Sequence, residues 1–409
     1  MKLWIKLLTG AALGLLLGFL LPIGNKTILT ATEWLSHFAI NIGRYAVVPM
    51  LFFSISIAVH ELRQEGGLWS ILFRALLLIA ISAVIVISGG ILAIILFPPA
   101  RSPITYDEQI EAVSLSLVDN ISKIFPSNMF QAIVSDGVYL LPMCVFAFFL
   151  GMGLSYDKHT MKPVLSLIDA LSRVFYHIAS FFSEILGVII IALSAYWAFR
   201  YRAIVQTDFQ SLIVLLTIVS GVLSVIVFPL LLYVVKNKPR PWAALYSAIS
   251  SAPASFFSGD VIFSLPVVLR HTKENLGVRR RANAVALPLF AVFGRAGSAM
   301  VAAMSLILII KSYSSLGISV IDIFSIGMQA FAISFLLARY PGDGAYTALA
   351  VLCAAYGQGF EAGYLILKPV AFYLIAIGTF LDVMIMNFGV YAVAKLSDLQ
   401  EDKPITQFI

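Results

Sequence analysis

Five charged side chains lie inside apolar stretches of this chain: Asp260, Arg295, Arg339, Asp343 and Asp382. At membrane depth such groups cost at least ~2.5–3.5 kcal/mol each on insertion scales, and they tend to mark substrate or ion pathways. All five fall after residue 259, which places the working site in the C-terminal part. An arginine presents a planar fork that matches a carboxylate. Arg295 and Arg339 are therefore candidates to hold a solute carboxylate. Asp260, Asp343 and Asp382 are candidates to hold an amine or a transferable proton. The mix of both signs points to a zwitterion or a small organic anion rather than a cation. Two plainer arrangements stay open: the five can pair with one another and lock the core, or some can face a water-filled cleft.

The elements that must position these residues are membrane helices. The chain has 409 residues, 60% hydrophobic and only 12% charged, where a soluble domain carries roughly 25% charged residues. Apolar runs of membrane-spanning length recur along it. The run from Lys2 to Leu21 is followed by no small-residue cleavage site, so it reads as a retained helix. The net charge of +6 does not mark a nucleic-acid partner. The basic residues cluster in alternate loops, as in cytoplasmic loops: Lys158, Lys162 and Arg173; Lys236, Lys238 and Arg240; Arg270, Lys273, Arg279, Arg280 and Arg281. An N-terminus on the cytoplasmic side puts all three clusters inside, in a plasma (inner) membrane. Cys144 and Cys353 predict neither a disulfide framework nor a metal site. His37, His60, His159, His177 and His271 lie apart, with no zinc spacing. No nucleophile–base set or nucleotide-binding loop is present, so the chain reads as no enzyme, without a cofactor or metal.

Helices are expected at about 3–23, 31–63, 69–98, 126–156 (broken by Pro126, Gly137 and Pro142), 162–200 and 209–236. The loop 101–125 is acidic, with Asp107, Glu108, Glu111 and Asp119, which fits the external side. Residues 241–273 are apolar but interrupted by Ser250, Ser251, Pro253, Ser255, Ser258, Gly259 and Asp260, and both flanks are basic. That pattern predicts a re-entrant hairpin, since non-helical backbone at membrane depth is tolerated only where protein or a cavity surrounds it. Helix 7, at 282–311, is interrupted at Gly294-Arg295-Ala296-Gly297-Ser298. Residues 320–362 repeat the hairpin, with the tip Ala338-Arg339-Tyr340-Pro341-Gly342-Asp343-Gly344 and external ends. Helix 8 covers 364–396 and carries Asp382. The expected fold is an all-α polytopic membrane protein of eight transmembrane helices plus two re-entrant hairpins, arranged as inverted repeats. Interrupted segments at matching positions in two halves point to a transporter site near the midplane.

Several segments match one family's pattern in order and spacing: Val48-Pro49-Met50; Ile124-Phe-Pro-Ser-Asn128 followed by Leu141-Pro142, Phe146-Ala147 and Leu150-Gly151; Leu265-Pro266 through Glu274-Asn-Leu-Gly-Val278; Leu287-Pro288-Leu289; Tyr340-Pro341-Gly342-Asp343-Gly344-Ala345; and Val393-Ala394-Lys395. Over nearly its whole length the chain resembles the glutamate and dicarboxylate/amino acid:cation symporter family. The resemblance implies a homotrimer of elevator-type transporters, joined through helices 2, 4 and 5. It divides the chain into scaffold helices 1–2 (1–66), transport-domain helix 3 (67–100), scaffold helices 4–5 (101–205), the remaining transport domain (206–396) and a cytoplasmic tail (397–409). Glu184 and Arg44 then fall in the static scaffold with a structural role, and the second hairpin is the gate.

The site residues depart from that family. Its helix 7 signature, Asn-Met-Asp-Gly-Thr, is replaced by Gly294-Arg295-Ala296-Gly297-Ser298, and a nearby cation-serving Thr is Val292. In helix 8 the substrate-gripping Arg aligns with Gly378, the amine-holding Asp with Ile375 and a cation-ligating Asp with Met386, while Asp382 replaces an Asn. A Tyr-Thr-Ser cation patch in helix 3 is reduced to Ile79, Ser82 and Ala83, and the first hairpin's serine-rich tip aligns with Asp260-Val261-Ile262-Phe263. Na⁺ needs several hard oxygens, and most of those positions are now apolar. The resemblance implies that Arg295 occupies the place a bound cation would fill, with Asp382 and Asp260 as its expected partners. Candidate substrate contacts are Ser258, Asp260, Arg295, Ser298, Arg339, Pro341, Gly342, Asp343, Gly344 and Asp382; Ser82, Asp260 and Asp382 are candidates for cation or proton coupling. The leading expectation is a symporter of an amino acid or dicarboxylate, with proton coupling or ion-independent exchange as substitutes for Na⁺. The alternatives are a channel-like anion conductor and a non-transporting sensor.

Overall fold

The structure is a computed structural model that describes residues 2–22, 26–100, 122–134, 138–156, 160–204, 209–235, 240–313 and 318–408. The acidic residues of the external loop, Gly137, Lys158, His159, Lys236 and Lys238 lie outside the described residues. The described chain is helical throughout, with a single isolated bridge between Val278 and Gln400. Among the described residues, seven helical stretches are long and apolar enough to cross a membrane.

Helix α1 (Leu3–Leu20) lies along α6 (Lys162–Ile204). Gly10, Gly14 and Gly18, one turn apart, let the two backbones approach, as small residues do between membrane helices. A Cβ at Gly14 would fall 1.9 Å from Ser194 Oγ and 2.3 Å from the Ile191 carbonyl oxygen. The expected second helix begins earlier and is two helices, α2 (Lys26–Arg44) and α3 (Val47–Gln64). Pro49 explains the break: it brings no N–H to the Tyr45 carbonyl and its ring crowds that oxygen. Helix α4 (Leu68–Leu96) follows. The expected helix at 126–156 is shorter. It consists of a single turn, Gln131–Val134, and then α5 (Leu140–Gly153).

Prolines shape the remaining elements in the same way. Helix α7 (Gln210–Tyr233) contains a π-turn at Leu223–Val227 immediately before Pro229, a common response to a missing backbone donor. The first hairpin is three helices: α8 (Pro241–Ala248), α9 (Ser251–Ser258) and α10 (Val261–Glu274). Its first bend, at Ile249–Ser250, stands four residues before Pro253. Its tip turns at Gly259, whose φ of +61° suits glycine. Helix 7 is α11 (Arg280–Phe293) and α12 (Ala296–Tyr313). Only Gly294 and Arg295 lie outside the helices, whereas the interruption was expected to reach Ser298. The second hairpin runs from α13 (Val320–Ser334) through a 3₁₀ turn (Leu337–Arg339) to α14 (Gly344–Tyr356). A 3₁₀ segment containing Pro369 (Gly363–Val370) leads into α15 (Ala371–Leu396).

Helices α11 and α12 each pack on α15, and α4 packs on all three. Every residue of α12 from Ala296 to Ile310 is buried. Helix α11 also packs on α3, and α10 on α2, α3 and α6. Ion pairs line that second seam: Arg270–Glu184 at 3.1 Å, Arg280–Glu61 at 3.1 Å and Arg281–Glu65. Glu184 also holds Lys6 of α1 at 3.1 Å. The C-terminal segment is tied in. Arg279 N–H donates to the Leu399 carbonyl at 2.9 Å, Glu401 N–H donates to the Gly277 carbonyl at 2.9 Å, and Phe408 is buried against Tyr246.

The α1–α6 seam gives a clear test. Gly14→Val is expected to cost about 1–3 kcal/mol by overpacking, read as a lower melting temperature in detergent. Gly153→Ala, where a Cβ meets nothing within 4 Å, is expected to leave the melting temperature unchanged. An equal response of both variants would rule out backbone proximity as the reason for Gly14.

Candidate functional site

The tips of the two hairpins meet beside the break in helix 7. Val261 N–H donates to the Pro341 carbonyl at 3.2 Å, joining tip to tip. Thr379 Oγ1 of α15 donates to the Gly259 carbonyl at 3.0 Å, fastening the first tip to α15.

Arg295 occupies the break itself and is 1% exposed. Its Nε donates to Asp382 Oδ2 at 2.8 Å, and its Nη2 donates to the carbonyls of Tyr340 at 3.2 Å and Pro341 at 3.4 Å. The guanidinium therefore sits among three oxygens, one from α15 and two from the second tip. Nη1 carries no hydrogen bond to the described residues. Asp382, 2% exposed, accepts from three donors in all. Ser298 supplies its backbone N–H at 3.0 Å to Oδ1 and its Oγ at 2.6 Å to Oδ2. This is why Ala296–Ser298 is helical: Asp382 satisfies a first-turn donor of α12 from another helix, as a capping side chain would, and its charge favours that positive helix end.

Glycines seat the second tip on this pair. A Cβ at Gly344 would lie 2.4 Å from Arg295 Nη2 and 3.1 Å from Ser298 Oγ. A Cβ at Gly378 would lie 2.9 Å from Ala345 Cβ and 3.0 Å from Ser298 Cα. No longer side chain fits at 378 with the second hairpin in place, so the closed arrangement depends on glycine at this position.

Asp260 does not join Arg295, contrary to expectation. Its Oδ1 caps α10 by accepting the Phe263 N–H at 2.7 Å, and its Oδ2 forms an ion pair with Arg44 Nη2. The geometry accounts for this: the N-cap position turns the Asp260 carboxylate towards α2. Ser258 is close by, its Oγ accepting the Asp260 N–H at 3.1 Å and donating to the Ala254 carbonyl at 2.6 Å. Asp343 begins α14 without a side-chain capping bond and is exposed. It lies in the field of Asp260, Arg44, His37 and Arg295. The structure thus brings Ser258, Asp260, Arg295, Ser298, Pro341, Gly342, Asp343, Gly344 and Asp382 into one region.

Two candidates are placed elsewhere. The 3₁₀ turn of Arg339 packs on α11 and α5, within electrostatic reach of Tyr139. Ser82 donates to the Ile79 carbonyl at 2.8 Å and lines an apolar groove of about 300 Å³ with Phe228, Phe290 and Phe388. One residue of the region was missed, and another, Arg44, was expected to have only a structural role in the scaffold. Thr379 carries no charge and no distinguishing pattern. Arg44 does carry a signal, because it is a charge deep within an apolar helical stretch like the five singled out.

Breaking a buried pair strands one charge in a low-dielectric interior, at a cost of about 3–5 kcal/mol. Arg295→Met and Asp382→Asn are each expected to destabilise on that scale in thermal or denaturant unfolding. The double variant is expected to recover much of the loss. Additive losses would show that the two side chains act independently.

Comparison with known proteins gives a concordant result. The model of the sodium:dicarboxylate symporter family matches residues 3–396. The chain is 24% identical to Excitatory amino acid transporter 1 of Homo sapiens over 53% of its own length and 40% of that protein. It is 22% identical to an Excitatory amino acid transporter of Caenorhabditis elegans over 85% of its length and 78% of that protein. The match thus spans less than half of the human relative's length.

Proposed function

The chain belongs to the sodium:dicarboxylate symporter family, and from that premise we propose that it is a secondary active transporter of a small anionic or zwitterionic solute, an amino acid or a dicarboxylate. The solute binds at the hairpin tips. Helices α4 and α7–α15 form the moving transport domain, and α1–α3, α5 and α6 form a static scaffold, giving an elevator mechanism. The seam of α10 and α11 against α2, α3 and α6 supports this division, since its contacts include exposed or half-buried ion pairs, which are worth little individually and exchange readily with water. Apolar side chains exposed on α2 and α6, among them Trp34, Phe38, Phe181 and Val188, offer the surface for a homotrimer. The termini lie on the cytoplasmic side of an inner membrane, following the basic clusters.

One observation carries the reading of the coupling: Arg295 bound to Asp382 Oδ2 and to the carbonyls of Tyr340 and Pro341. A bound Na⁺ requires a set of hard oxygens from the same kinds of source. The guanidinium is a permanent cation and already holds the second tip to α15. Closure of the gate therefore does not require Na⁺, and the energy for uptake comes from a proton gradient or from exchange. For the solute, Arg295 Nη1 offers a donor to a carboxylate, and the exposed Asp343 offers an acceptor to an amine. A solute reaches Arg295 only when the second hairpin lifts, because Gly344 rests on the guanidinium.

Uptake into proteoliposomes tests this directly. With labelled amino acids and dicarboxylates, a proton gradient or internal solute is expected to drive accumulation, and an imposed Na⁺ gradient is expected to add nothing. Arg295→Met is expected to abolish solute binding. Stimulation by Na⁺ alone would overturn the role of Arg295, and absence of uptake under every gradient would favour a sensor.

A further inference from the structure

Arg44 is the last residue of α2, yet its guanidinium reaches the tips of both hairpins. It pairs with Asp260 on the first tip. A Cβ at Gly342 would lie 3.2 Å from Asp260 Oδ2 and 3.5 Å from Arg44 Nη2, so the second tip rests on the same pair. The approach of α2 is close: a Cβ at Gly43 would fall 2.2 Å from the Phe263 ring. The two tips carry one carboxylate each, Asp260 and Asp343, and Asp343 lies in the field of Asp260. Like charges on adjacent surfaces repel, and here one of the two, Asp260, is shielded from water while Asp343 is exposed. Asp260 is 1% exposed. Arg295 is committed to Asp382.

We infer that Arg44 is a positioning residue that ties closure of the second hairpin to the docking of the tips on α2. With α2 against the tips, the Arg44 guanidinium offsets the repulsion between Asp260 and Asp343, and the second hairpin stays shut. When the transport domain leaves α2, that repulsion is no longer offset and the hairpin loosens. This inference rests on the elevator reading proposed above. It makes the gate sensitive to the position of the transport domain without any bound ion.

The experiment uses the full-length protein in nanodiscs with two pairs of spin labels. One pair spans α6 and α10 and reports the position of the transport domain. The other spans α14 and α10 and reports the second hairpin. Arg44→Met is expected to raise the open-to-closed ratio of the hairpin about tenfold, the scale of losing a partly desolvated charge pair. Adding Asp343→Asn is expected to return the ratio to its original value, because one of the two like charges is gone. Arg44→Lys is expected to keep the hairpin closed, which separates loss of charge from misfolding. An unchanged ratio in Arg44→Met, or no reversal by Asp343→Asn, would overturn the inference. A single fixed distance in the α6–α10 pair under all conditions would instead overturn the elevator reading, and with it the coupling to motion.

Discussion

Taking a guanidinium and a carboxylate out of water costs several kcal/mol per ion, and only close geometry with further hydrogen bonds compensates. Arg295 and Asp382 meet that requirement, with both side chains 1% exposed. Three parts of the chain depend on the pair. The break in helix 7 contains Arg295, the first turn of α12 gives the Ser298 N–H to Asp382, and the second hairpin places two carbonyls on the guanidinium. Replacing either residue alters the start of one helix and the seat of another element together.

The glycines follow from the same constraint. At 344 and 378 the backbone approaches the pair so closely that any side chain would displace the arginine or the serine that serves the aspartate. The closed tips are therefore built around a permanent internal cation. A transporter with a removable cation at such a place can link gate closure to ion binding. On the proposed reading, a chain that supplies its own cation gives up that link, and the docking of the tips on α2 takes its place.

Much of this was legible beforehand, for identifiable reasons. Membrane insertion makes charges within apolar runs conspicuous, so Asp260, Arg295 and Asp382 could be singled out without any contact being known. Gly294 and Gly259 marked where helices had to stop, whereas the serine-rich run before Asp260, expected to interrupt the hairpin, is itself helix α9 because its hydroxyls bond back to their own helix carbonyls. What remained hidden was pairing. Asp260 and Asp382 are alike in composition and setting, and only the N-cap geometry at α10 sends the first to Arg44. The extent of the helix 7 break was overestimated because Gly297 reads as a breaker. It is tolerated inside α12 because it packs directly on Leu381 and the Asp382 backbone. Ser82 shows the opposite error: a hydroxyl on an apolar helix is satisfied by its own backbone, and its place in α4 faces a groove rather than the tips.

The central claim is that Arg295 has taken the place of a bound Na⁺. The most direct measurement is the melting temperature of the purified protein as Na⁺ replaces a large organic cation at constant ionic strength. Any ion that binds the folded state alone raises stability in proportion to the logarithm of its occupancy term. The account predicts that the wild-type melting temperature does not respond. A saturable rise specific to Na⁺ in the wild-type protein would contradict it.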